Sequence, residues 1–168
     1  MQIKMLIVDD DLEVVSILNR TFTTMLKGYL ILTATTANSG MSMLKEERPD
    51  IVIMDVRLGP ESGMNLLQDY TDYLTSQGLQ GRTHFIVITA YPDEEVEKEA
   101  LEKFKVDAFM MKPFEQADIR DAVLISVIKR LESETKMLSL LCRKKRAETD
   151  ERQSIDQQIK DDFKQGCR

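Results

Sequence analysis

Short apolar runs, each about the length of a β-strand, recur along the chain. In four runs, apolar residues follow one another without alternating polar residues: Met5–Val8, Ile51–Met54, Phe85–Ile88 and Ala108–Met111. A fifth run, Leu30–Thr35, is less apolar. Continuous apolar strands are typical of parallel sheets that helices cover on both faces. The pattern therefore predicts five strands in a buried parallel sheet.

Segments with apolar residues at helical spacing lie between these runs. They are Leu12–Met25, Gly40–Glu47, Gly63–Thr75 and Asp93–Phe104, the last of which begins with Asp93 as its N-cap. Strands that alternate with helices predict an α/β fold with an open sheet and right-handed crossovers. We expect a doubly wound, five-stranded parallel sheet in the order 2-1-3-4-5, with the first and third strands as central neighbours.

The last part of the chain predicts one long helix. Neither Gly nor Pro occurs between Pro113 and Gly166, so a helix that begins near Gln116 meets no breaker. The residues expected to close the core are Ile119, Val123, Val127 and Ile128. Beyond them an a/d stripe of Leu131, Leu138 and Leu141 is interrupted by Glu134 and Lys145. We divide the chain into a globular domain of residues 1–125 and a helical C-terminal extension or linker of residues 126–168, which we expect to form a homodimer through the leucine stripe, because a lone polar helix is marginal in water.

Composition narrows the class of protein. The 168 residues are 42% hydrophobic and 31% charged, which is typical of one globular domain, with or without an appendage. Residues 1–115 carry 11 Lys and Arg against 19 Asp and Glu, a net of −8, and residues 116–168 carry 12 against 10, a net of +2. The acidic part is not expected to bind nucleic acid. The basic run Arg143–Arg146 has no interleaved aromatic residues, so we favour a solvated helix end over contact with nucleic acid or anionic lipid.

Several absences point to the cytoplasm. No apolar run is long enough to span a membrane, and the N-terminus does not have the pattern of a signal peptide. The two cysteines, Cys142 and Cys167, cannot form a disulfide framework and are interpreted as incidental thiols in a reducing compartment.

Polar residues follow the central strands at the ends where their side chains would meet. Asp9, Asp10 and Asp11 follow the first strand, Asp55 the third, Thr89 the fourth and Lys112 the fifth. In open α/β sheets the functional site lies at the carboxyl ends of the strands. Three carboxylates packed together repel one another unless a cation joins them, and oxygen ligands of this kind suit Mg²⁺. A lysine and a hydroxyl beside them could hold phosphoryl oxygens, and an Asp carboxylate can form an aspartyl-phosphate.

The chain resembles the receiver domain of two-component response regulators over about residues 1–125. The resemblance rests on five motifs in order: Leu6-Ile7-Val8-Asp9-Asp10-Asp11, Ile53-Met54-Asp55, Gly63, Ile88-Thr89-Ala90 and Lys112-Pro113-Phe114. It implies a flavodoxin-like fold and a signalling switch that accepts a phosphoryl group from a histidine kinase or phosphotransfer protein with Mg²⁺. Such a domain is not a metabolic enzyme, although it assists its own phosphorylation and dephosphorylation.

The resemblance also implies individual roles for residues at the site. Asp55 would be the phosphoacceptor, and Asp9, Asp10, Asp55 and the backbone carbonyl of Arg57 would hold Mg²⁺. Lys112 would bind a phosphoryl oxygen, and its bond to Pro113 is typically cis in the family. Thr89 and Phe109 would be the hydroxyl and the aromatic residue of the switch. Arg57 and Tyr91 would flank the path of the attacking water and tune the lifetime of the phosphorylated state. Arg57 could also pair with Tyr91 or with the phosphoryl group.

The chain departs from the family pattern at one loop position, and its sequence also argues against two other classes of protein. The family usually has Pro four residues after the acceptor, where this chain has Gly59 followed by Pro60. Aspartate-nucleophile phosphatases of the haloacid-dehalogenase type have a second Asp where this chain has Arg57, and flavin or nucleotide binders need a phosphate loop where it has three aspartates. Asp11 is the member of that run expected to act only as a helix cap. We expect either a single-domain regulator or the part of a longer one that precedes an output domain.

Overall fold

The computed structural model describes residues 2–91 and 93–166. Its centre is a five-stranded parallel sheet formed by β1 (Lys4–Val8), β2 (Leu30–Ala34), β3 (Ile51–Asp55), β4 (His84–Thr89) and β5 (Ala108–Met111). The strand order is β2-β1-β3-β4-β5, so the predicted flavodoxin-like order is confirmed. Lys112–Pro113, directly after β5, is cis as expected.

Helices connect the strands and cover the sheet. They are α1 (Leu12–Met25), α2 (Ala37–Glu47), α3 (Gly63–Ser76), α4 (Glu94–Lys98) and α5 (Gln116–Gly166), and a π-helical turn (Glu99–Lys103) continues α4. Asp93 caps α4 as predicted, accepting hydrogen bonds from the backbone N–H groups of Glu95 and Val96. Helix α2 begins three residues earlier than predicted, because Thr36 and Ser39 form a capping box at its start.

The two central strands send side chains into both layers of the core. Leu6 and Val8 of β1 join the cluster on the α2–α3 face, whereas Met5 and Ile7 join the cluster on the α1–α5 face. The same alternation holds along β3. Because strand side chains alternate between faces, a strand covered on both must be apolar at every position, which explains the continuous apolar runs.

The first turns of helix α5 pack against the sheet. Ile119 and Val123 are buried in the α1–α5 layer, with Val127 packed at its edge. The expectation for Ile128 is wrong: it is 56% exposed, because one residue beyond Val127 the helix has turned by about 100°. Ion pairs fix the next turn, with Lys129 Nζ 2.6 Å from Asp107 Oδ1 and Arg130 Nε 2.9 Å from Asp50 Oδ1.

The chain divides into two compact units, Met1–Arg130 and Leu131–Arg168. The second unit is helical as far as Gly166. Its stripe residues Leu131, Leu138 and Leu141 are each more than half exposed. Cys142 is exposed, and Cys167 lies outside the described residues. Among the helices that the structure describes, none is both long and apolar enough to cross a membrane.

Candidate functional site

Three carboxyl groups meet at the carboxyl edge of the sheet, as the sequence predicts. Asp9 and Asp10 follow β1, and Asp55 ends the neighbouring strand β3. One oxygen from each of the three lies within 4.8 Å of the others. Asp9 and Asp55 are buried, whereas Asp10 is exposed to solvent. The cluster therefore has a buried floor and an open side.

Lys112 lies between the two buried carboxyl groups. Its Nζ is 2.5 Å from Oδ2 of Asp9 and 2.5 Å from Oδ2 of Asp55, and its side chain is 15% exposed. The backbone N–H of Lys112 donates to the carbonyl of Thr89 at the end of β4, which fixes where the side chain starts. These contacts bring together four of the residues that the sequence analysis placed at the site.

Burial and charge act in opposite directions on these groups. Burial raises the pKa of the Asp9 carboxyl above its ordinary value, and this effect exceeds that of the hydrogen bond from Lys112. Burial alone would lower the pKa of the Lys112 ammonium, but the hydrogen bonds and charges of Asp55 and Asp9 outweigh it and raise that pKa. Lys112 is therefore protonated at neutral pH and offsets one of the two carboxylate charges on the floor of the cluster.

Backbone N–H groups orient each carboxylate. Asp9 Oδ1 accepts from the N–H of Asp11 at 3.0 Å, and Asp55 Oδ1 accepts from the N–H of Arg57 at 3.0 Å. Asp10 Oδ2 accepts from the N–H of Gly59 at 3.0 Å. Asp11 points away from the cluster to cap α1, as predicted. Three converging carboxylates, one of them open to water, fit a small divalent cation such as Mg²⁺, which takes oxygen ligands and retains several waters.

The loop after Asp55 is a small hairpin in this chain. Its arms are Arg57–Leu58 and Glu61–Ser62, and Gly59 at its tip has φ +64°. This positive φ explains why glycine, rather than the family's proline, occupies the position. The hairpin tip is tied to Asp10 through the N–H of Gly59, and Oε2 of Glu61 accepts from the N–H of Ala37 at the start of α2 at 3.2 Å. Sequence reasoning missed this tether from Glu61, because no local motif links the two residues.

Gly63 packs directly against the backbone of the predicted acceptor. A Cβ at this position would lie 1.9 Å from the carbonyl oxygen of Asp55. The N–H of Gly63 also donates to the carbonyl of Val56 at 2.7 Å. Gly63 is therefore required because only hydrogen fits between the start of α3 and the end of β3.

Thr89, at the end of β4, is hydrogen-bonded to Tyr91 in the loop that follows. The buried Thr89 hydroxyl donates to the carbonyl of Tyr91 and accepts from its N–H, both at 3.1 Å. The Tyr91 ring is 58% exposed, and the guanidinium carbon of Arg57 lies 4.0 Å from its centroid. Arg57 and Tyr91, which were expected to flank the path of the attacking water, thus contact each other, and this is one of the two contacts expected for Arg57.

Strand β5 and the residues after it contribute the side chain of Phe109 and one wall of an apolar groove. Phe109 is half-buried in β5 beside Val87 and packs against the α2–α3 layer. A groove of about 440 Å³ opens beside Lys112, and it is lined largely by apolar residues that include Val14, Ile17, Pro113 and Phe114. The sequence analysis missed this groove, because its α1 residues have the same helical spacing as core residues.

Fold and site together define a flavodoxin-like signalling domain with an acidic pocket that a lysine closes. The family model described as response regulator receiver domain matches residues 5–124, and the chain belongs to this family. The chain is 34% identical over 121 residues to the probable C4-dicarboxylate response regulator DctR of Bacillus subtilis, a match that covers 71% of this chain and 50% of that protein. It is 29% identical over 120 residues to sporulation initiation phosphotransferase F of the same organism, covering 71% of this chain and 90% of that one.

Solved structures show the same fold. A CheY-like receiver domain protein of Methanospirillum hungatei superposes with a TM-score of 0.69 at 22% identity, covering 79% of this chain and 99% of that one. A response regulator protein of Burkholderia pseudomallei, solved with a phosphorylated aspartic acid, calcium ion and citrate, has a TM-score of 0.60 at 22% identity and covers 78% of this chain and 75% of that one. The chain spans about half the length of DctR.

Proposed function

We propose that this phosphoacceptor response regulator receives its phosphoryl group on Asp55. The supporting observation is the shared contact of Lys112 with Asp55 and Asp9, beside the open carboxylate of Asp10. Both buried carboxylates contact the lysine, so a phosphoryl oxygen on either would find a cation nearby. The Asp9 side chain is completely buried, whereas 9% of the Asp55 side chain is exposed, which favours Asp55 as the carboxylate that a protein donor reaches.

The proposed transfer needs few groups from this chain. A carboxylate oxygen of Asp55 attacks the phosphorus of a phosphohistidine on the donor. The new P–O bond forms as the P–N bond breaks, and the electron pair leaves with the imidazole, which takes up a proton from water. Lys112 then pairs with a phosphoryl oxygen instead of with Asp55 Oδ2. The same residues would assist the later attack of water on the phosphorus, which breaks the bond to Asp55 and releases inorganic phosphate. The domain would thus take part in its own phosphorylation and dephosphorylation without being a metabolic enzyme.

Mg²⁺ is the cofactor that this cluster fits. Asp9, Asp10, Asp55 and the backbone carbonyl of Arg57 would hold it, and it would supply positive charge beside the phosphoryl oxygens. The Burkholderia pseudomallei regulator was solved with both a phosphorylated aspartic acid and a calcium ion, which supports a divalent cation as the companion of a phosphorylated aspartate. The N–H of Arg57 already donates to Asp55, so the Arg57 peptide lies at the edge of the cluster.

Thr89 and Phe109 are the proposed switch residues. The Thr89 hydroxyl would move to a phosphoryl oxygen, and the half-buried ring of Phe109 would adjust in β5 beside it. Phosphorylation would shift an existing equilibrium between two arrangements of the domain.

The donor would be a histidine kinase or a phosphotransfer protein, as the similarity to sporulation initiation phosphotransferase F suggests. The apolar groove next to Lys112 supports docking there, because a partner seated in it would bring its histidine close to Asp55. We further propose a cytoplasmic location, a receiver of residues 1–125 and an extension of residues 126–168 that pairs with a second copy through Leu131, Leu138 and Leu141.

The test of the acceptor is phosphorylation by acetyl phosphate with Mg²⁺, read by intact mass and peptide mapping. We expect a single phosphoryl group on Asp55, none in Asp55→Asn and none in EDTA. Asp11→Asn is the matched control, because it also removes one carboxylate from the loop region, yet Asn remains a good N-cap for α1. Full modification of Asp55→Asn would place the acceptor elsewhere.

A further inference from the structure

The Thr89 hydroxyl is fully engaged with Tyr91 in this structure. A hydroxyl group has one proton to donate, and Thr89 donates it to the carbonyl of Tyr91 at 3.1 Å. It also accepts the N–H of Tyr91 at 3.1 Å. Thr89 therefore cannot donate to a phosphoryl oxygen on Asp55 until it releases Tyr91.

The position of Tyr91 is in turn held from the other side of the site. The guanidinium carbon of Arg57 lies 4.0 Å from the centroid of the Tyr91 ring, a cation–π contact. The backbone N–H of Arg57 donates to Oδ1 of Asp55 at 3.0 Å. A continuous series of contacts thus runs from Asp55 through Arg57 and Tyr91 to Thr89, and it joins the loops that follow β3 and β4.

We propose that the contact of Arg57 with Tyr91 is a strap that holds the receiver in its unphosphorylated arrangement, with Tyr91 acting as a positioning residue for the Thr89 hydroxyl. This inference rests on the proposed role of Asp55 and adds a specific restraint on the switch. Because Tyr91 lies three residues before the start of α4 at Glu94, the release of Thr89 would also free the segment that leads into that helix.

The expected size of the effect follows from the exposure of the pair. Arg57 and Tyr91 are both exposed, so their contact belongs to the weaker class of cation–π interactions. Loss of such a contact should change the equilibrium between the two arrangements by about 2- to 5-fold in favour of the active one. Exposure also means that substitutions here leave the core intact.

The probe is beryllofluoride with saturating Mg²⁺, a mimic of the phosphoryl group on an aspartate, titrated against the full chain. We expect Tyr91→Leu to bind it about 2- to 5-fold more tightly than the wild type. Tyr91→Phe keeps the ring and should bind like the wild type. In the unliganded protein, the NMR signal of the Thr89 methyl group should move part of the way to its beryllofluoride-bound position in Tyr91→Leu only, a shift that a general loss of stability would not produce.

Arg57→Gln completes a double-mutant cycle. Its charge also acts directly on the bound anion, so its single effect is mixed, but the tightening caused by Tyr91→Leu should disappear in the Arg57→Gln background. Equal affinities of wild type and Tyr91→Leu, or the same tightening in both backgrounds, would overturn the strap while leaving Asp55 as acceptor. A wild type that does not bind beryllofluoride would overturn the proposed function and the strap with it.

Discussion

Substitution of Gly63 by alanine tests how closely the acceptor strand is packed. The added Cβ would lie 1.9 Å from the carbonyl oxygen of Asp55, 3.1 Å from its carbonyl carbon and 3.3 Å from the carbonyl carbon of Val56. All three are backbone atoms in or next to β3, so no side chain can rotate away. Either the start of α3 or the end of β3 has to move by about 1.5 Å to restore an ordinary van der Waals contact of 3.4 Å.

The free energy of this movement is set by what holds the two segments. The N–H of Gly63 donates to Val56 at 2.7 Å, and the next residues of α3, Met64, Leu66 and Leu67, are buried in the core. Overpacking of a well-packed core costs about 1–3 kcal/mol and sometimes more. Since the obstacle here is backbone, we expect Gly63→Ala to lower the free energy of unfolding by about 3 kcal/mol or more, a large part of the 5–15 kcal/mol typical of a domain.

Urea unfolding of wild type, Gly63→Ala and Gly40→Ala measures this cost. Gly40 is the matched control, because it too is a buried helical glycine, but its added Cβ would meet only side-chain ends, Val8 Cγ1 at 3.1 Å and Leu66 Cδ2 at 3.2 Å. Alanine in a helix gains up to about 1 kcal/mol over glycine, which offsets a small displacement of those side chains. A Gly63→Ala variant within about 0.5 kcal/mol of Gly40→Ala would refute the close approach to Asp55.

Other predictions concern the metal, the lifetime, the dimer and the pH response. Asp10→Ala should abolish the rise in melting temperature that Mg²⁺ gives the wild type, and an equal rise in both would place the metal elsewhere. Tyr91→Ala should shorten the lifetime of phospho-Asp55 about tenfold, or 1.4 kcal/mol in barrier, by opening the path of water, and equal dephosphorylation rates would exclude shielding. Leu138→Glu should shift the full chain to monomer in sedimentation, whereas Leu140→Glu, off the stripe, should not; a wild type that is monomeric would remove the dimer. Burial raises the pKa of Asp107, but hydrogen bonds from His84 and Lys129 outweigh it and hold the pKa below 3.8. Asp107 therefore contributes its full stabilisation above pH 3.8, and this contribution is lost as the pH falls through the lowered pKa of the folded state. The difference in free energy of unfolding between wild type and Asp107→Asn, measured in urea, should decrease below pH 3.8, and a constant difference would contradict this.

The sheet and the site could be predicted because one physical rule places both. Strands covered on both faces need continuous apolar residues, and this pattern predicted β1 and β3. Parallel strands end at a common edge of the sheet. Asp9 and Lys112 directly follow their strands and Asp55 ends its strand, so the strand order alone predicts that the three side chains lie close together. Their roles came from the resemblance to receivers, since spacing alone does not distinguish an acceptor from a ligand.

Features that depend on contacts between distant loops could be predicted only in part. The contact of Arg57 with Tyr91 joins loops that the sequence separates by a helix and a strand. The family positions suggested it as one alternative, beside a contact of Arg57 with the phosphoryl group, and no local pattern decides between the two. The exposure of Ile128, in contrast, follows from helical spacing, because Ile128 lies about 100° around the helix from Val127. The π-helical turn after α4 has a sequence, Glu99–Lys103, that an ordinary helix would also accept.

The position of Lys112 explains how a change at one carboxylate could reach the switch within a short distance. In the unphosphorylated domain, Lys112 binds Asp55 through its side chain and the carbonyl of Thr89 through its backbone N–H. Under the proposed function, a phosphoryl group on Asp55 moves negative charge outward, from the carboxylate to the phosphoryl oxygens, and both the Lys112 ammonium and the Thr89 hydroxyl gain an acceptor there. Both side chains can reach the same phosphoryl group, because the backbones of Lys112 and Thr89 are hydrogen-bonded to each other at the ends of β5 and β4. The strap opposes only the second response, since its contacts reach Thr89 through Tyr91 and do not include Lys112. The movement of the Lys112 ammonium to a phosphoryl oxygen and the release of the Thr89 hydroxyl are therefore separable. A variant without the strap should keep the new contact of Lys112, while the release of Thr89 should become easier.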